Sequence, residues 1–240
     1  MKLLALTLLC SVAIGISQLQ ADVIVGWNMN GNDSADLPTA ADYLTTVDPN
    51  VTVGDWTLSS VSPPQVRVIQ DFYATGGYAN QLSLDTSKLY TSFTVTPDAG
   101  YSLDLTSLTF SSSILSGDNG PTTGAWGFRT IEDGVPGSWT TFSFPLGELI
   151  FDSADLMTWN FETPISTEDS VEFGFWAWGG TVDFPVIVSS GIIDGGLSDG
   201  LTVNGTVNAV PEPSAYVLIS FGMAVILVYR RYMRRDTLVA

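Results

Sequence analysis

The sequence predicts an all-β extracytoplasmic domain, a two-sheet sandwich of jelly-roll form, between an N-terminal export signal and a C-terminal membrane helix. Three observations predict it. Short apolar runs, several strictly alternating, recur between Gly, Pro, Asp, Asn and Ser along the whole central region. Nineteen of the 25 acidic residues are the turn former Asp and only six are the helix former Glu. Long uncharged apolar stretches stand at the two ends of the chain.

Composition excludes several chemistries. The 240 residues include no histidine and one cysteine. A Ser-His-Asp triad, a histidine-bound zinc, an internal disulfide and a thiolate metal cluster are therefore excluded. Formal net charge is -17, and residues 22–209 hold 23 acidic side chains against Arg67, Lys88 and Arg129, a net -20. Such a surface keeps an exported domain soluble, repels anionic polymers unless cations bridge them, and gives no nucleic-acid binding by phosphate neutralisation.

Residues 1–21 read as a signal peptide. Met1 and Lys2 precede the apolar run Leu3 to Ile16, and the polar Ser17 to Gln20 lead to Ala21. Leu19 departs from the small residue expected two before the cut. The run is too short to serve as a permanent anchor. Leu9 and the apolar residues after Cys10 argue against a lipoprotein site. Cleavage after Ala21 leaves no cysteine, so a packed core must hold the exported chain.

At the other end, Val210, Pro211, Glu212, Pro213 and Ser214 precede the uncharged run Ala215 to Tyr229, and Arg230, Arg231, Arg234 and Arg235 follow. An apolar run closed by arginines is a stop-transfer pattern with the bulk of the chain outside. Fifteen residues at about 1.5 Å each reach ~22 Å, short of a ~30 Å hydrocarbon layer. Snorkelling arginine stems extend the span, which suits a transient anchor. The two prolines give it an extended entry.

Residues 210–235 resemble the PEP-CTERM sorting signal of Gram-negative bacteria. The resemblance implies recognition of the Pro-Glu-Pro segment by an exosortase, a membrane cysteine protease, after passage through the export machinery. It also implies residence at the cell surface or in an extracellular polysaccharide, biofilm or floc matrix. Tyr232 and Met233 interrupt the arginines, and five residues follow them.

Residues 22–209 form one domain with no internal repeat or linker. Expected strands are Val23 to Met29, Val51 to Leu58, Val66 to Tyr73, Leu89 to Thr96, Ser102 to Phe110, Ala125 to Ile131, Trp139 to Phe144, Val171 to Ala177, Val182 to Val188 and Leu201 to Val207. Leu103 and Leu105 alternate in one phase and Leu108 and Phe110 in the other, which predicts a bulge near Thr106 and Ser107. Thr39 to Thr46 predicts one or two helical turns. The opening residues 23–31, the block from Phe93 to Leu103 and the closing strand Leu201 to Val207 resemble segments of PEP-CTERM ectodomains, which implies a β-sandwich and supplies no active site.

No residue set marks a catalytic site. Glu132 with Asp133, Asp152 with Asp155, and Glu168 with Asp169 lie in turn-like settings, whereas a glycosidase needs two carboxylates facing across a cleft. Lys88 beside Ser87 forms no motif. Calcium is the one cofactor left open: the best loops are Asp118 to Gly120 and Asp194 to Gly200, which read first as Asp-Gly turn chemistry. Alternation places Trp176 and Trp178 on the face of Glu172, opposite Val171, Phe173 and Phe175. Outward rings there would stack on sugars, as in a carbohydrate-binding module; burial under a loop or second layer is the expectation that tryptophan favours. Trp27, Trp56, Trp126, Trp139 and Trp159 read as packing residues. The leading expectation is an exosortase-processed surface or matrix protein with a structural or adhesive sandwich.

Overall fold

The fold is that of a computed structural model, which describes residues 22–28, 39–59, 66–69, 72–75, 82–87, 90–114, 120–148, 156–180, 186–190, 192–193, 196–197, 200–210 and 222–227. The strands in chain order are β1 (Asp22–Trp27), β2 (Leu44–Val47), β3 (Val51–Val53), β4 (Thr57–Leu58), β5 (Val66–Ile69), β6 (Phe72–Thr75), β7 (Thr91–Pro97), β8 (Tyr101–Phe110), β9 (Ser113–Ile114) and β10 (Thr123–Glu132). They continue with β11 (Val135–Pro136), β12 (Thr140–Pro145), β13 (Gly147–Glu148), β14 (Met157–Thr167), β15 (Ser170–Trp178), β16 (Val186–Ser190), β17 (Ile192–Ile193), β18 (Gly196–Leu197) and β19 (Leu201–Ala209), with one short helix, α1 (Ala40–Tyr43).

Two antiparallel sheets make the sandwich. The first runs β14-β8-β19-β1-β2. The second runs β11-β10-β15-β7-β3, with β12 also paired to β10 and β4 to β7. Their inner faces supply one core: Val25, Trp27, Leu105, Leu108, Phe110 and Val203 from the first sheet meet Phe93, Val95, Trp126, Phe173 and Phe175 from the second. A third set, β13-β9-β16-β6-β5, and the pair β17-β18 complete the ladders.

Rings rather than charges join the layers. Trp27 meets Trp56 at 5.6 Å and Phe93 at 5.5 Å between centroids. Trp56 reaches Trp126 at 6.2 Å, Trp126 reaches Phe110 at 5.8 Å, and Phe110 reaches Phe144 at 4.8 Å. Tilted and edge-on contacts at these distances each add roughly 0.5–1.5 kcal/mol beyond area burial. The Trp126 indole donates to Ser112 Oγ at 3.2 Å. Among the described residues, the buried indole N–H groups of Trp27 and Trp176 find no acceptor.

The phase change in β8 is a bulge. Ser107 pairs with Asn204 and Leu105 with Gly205, so Thr106 is the extra residue. A Cβ on Gly205 would run into the Asp104 carbonyl oxygen and stand 2.8 Å from Leu105 Cα, which is why glycine stands there.

Four local expectations differ from the fold. The helix covers only Ala40–Tyr43, because Leu44–Val47 pairs with β1 through Val25 and Val47, and the β-branched Thr45, Thr46 and Val47 favour that pairing. The run from Val51 splits into β3 and β4 around Gly54, where a Cβ would run into the Thr94 hydroxyl. The run from Val66 is a hairpin, with Ile69 paired to Phe72. The eleven-residue β14 was not among the expected strands.

β1 and β19 are antiparallel neighbours, so Asp22 and Ala209 lie at the same end of the sandwich. The Val210 N–H donates to the Gly100 carbonyl at 2.8 Å, closing the last strand where the proline motif begins. Residues 1–21, Pro211, Glu212, Pro213, Ser214 and Arg230, Arg231, Arg234 and Arg235 lie outside the described residues. Residues 222–227 are helical and exposed. Among the described residues, no helix is long and apolar enough to cross a membrane.

Candidate ligand-binding cleft

Two places gather aromatic and polar side chains: the outer face of the second sheet, and the side of the sandwich where β12 and β14 form facing edges.

On the outer face, Trp176 is fully buried. Tyr90 lies 5.1 Å and Trp139 4.7 Å from it, centroid to centroid. Gly127 and Gly174 make the room, since a Cβ on either would stand 3.0 Å or less from the Trp176 ring. Over these rings Arg129 lies 4.4 Å from the Trp139 centroid and forms an ion pair with Glu172, Nη2 to Oε2 at 2.6 Å. Its Nε donates to the same Glu172 oxygen at 2.7 Å and its Nη2 to the Tyr90 hydroxyl at 3.1 Å. Burial pushes the Tyr90 phenol above its ordinary value, and the Glu172 charge adds to the rise. A second layer thus covers the Trp176 ring, the burial expected of tryptophan, and the ring does not offer the outward face that sugar stacking would use. Trp178, at the end of β15, is half-buried. The two rings do not form an open platform.

The side cleft has a different origin. β14 follows β8 from Met157 to Asn160 and again from Ile165 to Thr167. Between them Phe161, Glu162, Thr163 and Pro164 oppose the single residue Thr106, so four residues arch away from the ladder. Pro164 has no N–H to give to a ladder, and a bulge on an edge strand accepts that defect. The arch opens a cavity of about 550 Å³ between β14, β12 and Phe128 of β10.

Its wall is aromatic. Phe142 stacks on Trp159 at 5.6 Å with 16° between planes. Phe128 lies 5.5 Å from Trp159 and 4.9 Å from Phe161. Phe142 is 37% exposed, whereas Trp159 and Phe161 are each only 8% exposed. Phe142 also reaches Phe144 at 6.3 Å, so the wall is the outer end of the core's ring network. The rim is polar: Thr140, Thr141, Thr163 and the exposed Glu162 line it. A volume in the few-hundred Å³ range, ring faces and scattered hydroxyls suit a small polar ligand with an apolar face.

Sequence reasoning did not find this site. Trp159 reads there as packing, and Phe128, Phe142, Phe161 and Glu162 were not singled out. The alternation of Trp159 with Phe161 was the available signal, and Pro164 obscured it as a strand. Of the carboxylate pairs, Glu132 and Asp133 sit at an exposed hairpin tip, where Asp133 has φ 51° and Gly134 φ 79°. Glu168 and Asp169 form the β14–β15 turn, in which the Asp169 N–H donates to Thr167 Oγ1. Lys88, Asp152, Asp155 and most of both candidate calcium loops lie outside the described residues. Among the described residues, no group of three or more His, Cys, Asp or Glu side chains gathers as metal ligands.

No family model matches the chain, and no curated protein matches it. Among solved structures, a family 11 carbohydrate-binding module of a cellulosomal cellulase of Clostridium thermocellum aligns at 8% identity, with 80% of this chain and 97% of that one covered and a TM-score of 0.36. A structure described as CBM4 aligns at 14% identity over 63% of this chain and 87% of that one, TM-score 0.35. The family 32 module of C. perfringens NanJ in complex with galactose aligns at 17% identity over 65% and 93%, TM-score 0.31. The chain's own two antiparallel sheets make it a β-sandwich.

Proposed function

We propose that this is an exported, non-catalytic glycan-binding sandwich whose binding site is the cleft between β12 and β14. The observation that carries it is the exposed Phe142 ring stacked on Trp159 beside threonine hydroxyls. Sugars present an apolar C–H face and a polar rim, and this wall offers a counterpart to each. One carboxylate, Glu162, is among the residues lining the cleft, whereas glycoside hydrolysis calls on two.

Affinity electrophoresis through gels containing a panel of soluble polysaccharides tests the reading. At least one should retard the protein. Phe142→Ala, which leaves the buried Trp159 and Phe161 in place, should weaken retardation about tenfold: roughly 55 Å² of lost stacking at about 25 cal/mol/Å² is ~1.4 kcal/mol. No retardation by any glycan, or equal retardation of the variant, would refute it.

A second element concerns placement. We propose that Val210 to Ser214 and the arginine-capped helix are an exosortase sorting signal, and that the mature sandwich resides at the cell surface or in the surrounding polysaccharide matrix. Supporting this, the Val210 N–H bonds the Gly100 carbonyl and closes β19 at the point where the motif begins. Expression in a competent host with and without the exosortase, followed by C-terminal mass spectrometry, tests it. A tail retained in both hosts removes the proposal.

A further inference from the structure

Resting on the glycan-binding reading, the geometry points to an amino-sugar polymer bearing free protonated amines as the ligand class of the cleft, with Glu162 as the residue that selects it. Glu162 stands in the arch of β14, exposed, and forms no ion pair among the described residues. The one cation among the described side chains, Arg129, is held by Glu172 on the other face of the second sheet. Among the described residues, the cleft is therefore lined by a carboxylate and ring faces and by no cationic side chain. Aromatic faces attract cations through their quadrupole, and a carboxylate beside them adds Coulomb attraction. The same field repels uronate, sulfate or phosphate groups, and residues 22–209 reinforce it with their net -20. A sugar stacked on Phe142 with an ammonium group toward Glu162 meets both attractions. A neutral sugar meets only the rings.

The experiment compares two chains of equal length and linkage, a glucosamine oligomer and its fully N-acetylated counterpart, against the full chain by calorimetry at low salt and mildly acidic pH, where the sugar amines are protonated. The free-amine oligomer should bind about tenfold tighter, and that ratio should fall toward one in Glu162→Gln and in high salt. Glu162 is exposed, so the substitution does not threaten the fold. Equal binding of both oligomers overturns the inference and leaves the glycan reading standing. A preference that survives Glu162→Gln also overturns it, because another group would then be the selector. Binding of neither oligomer, nor of any polysaccharide in the gel panel, removes both readings together. Tighter binding of an acidic polysaccharide than of the glucosamine oligomer refutes the charge argument directly.

Discussion

Replacing Arg129 with methionine keeps an unbranched side chain and removes the guanidinium that lies over Trp139, its two bonds to Glu172 and its one bond to Tyr90. The side chains of Arg129 and Glu172 are 18% and 10% exposed, so water screens the pair little and the bare carboxylate is left largely desolvated. Breaking such a pair costs roughly 3–5 kcal/mol. Urea denaturation of variant and parent, followed by tryptophan fluorescence at neutral pH, reads the difference. The double variant R129M/E172Q should return to within about 1 kcal/mol of the parent. A penalty under about 1 kcal/mol for the single variant, or a double variant as unstable as the single one, would refute the reasoning.

Two further outcomes are expected. Gly205→Ala should destabilise by at least about 2 kcal/mol, because its Cβ meets backbone at the Thr106 bulge rather than a side chain that can turn aside; a melting curve within a degree of the parent would show that the bulge relaxes. Tyr90→Phe should cost roughly 0.5–1.5 kcal/mol near neutrality through the lost bond from Arg129. It should also flatten the alkaline limb. The raised phenol makes its contribution in full below the ordinary value of ~10, and that contribution is lost as pH climbs from there through the folded value. Parallel alkaline unfolding of parent and variant above pH 10 would contradict this.

The sandwich was legible because its inner strands obey a period of two. Thr91, Phe93 and Val95 are buried as their alternation implies, and so are Val171, Phe173, Phe175 and Ala177. The bulge at Thr106 was legible because a phase change in a strand has few other meanings. What covers Trp176 was not, because alternation fixes which face a side chain takes and says nothing of what else lies on that face. Tyr90 comes from residues before β7 and Trp139 from the β11–β12 connection, both distant in sequence. The cleft was illegible for a related reason. It is made by a strand that breaks its own pattern, and Pro164 is both the reason for the arch and the reason β14 fails to read as a strand.

The facing edges raise a physical problem that the same residues address. A cleft between two sheet edges exposes unpaired backbone and ring faces together, a ready template for strand addition by another chain. β12 ends on Pro145, and β14 carries Pro164 at its arch, so each edge is interrupted where a visiting strand would need a continuous ladder. The rings behind the edges are fixed from within: Phe142 leans on Phe144, which packs on Phe110 and Phe175 in the core. A ligand therefore meets a surface already ordered by folding, and little side-chain entropy is lost on binding. In a chain with one cysteine and only 14% charged residues, aromatic packing holds the layers together. Where that packing runs out between β12 and β14, it forms the surface proposed for recognition.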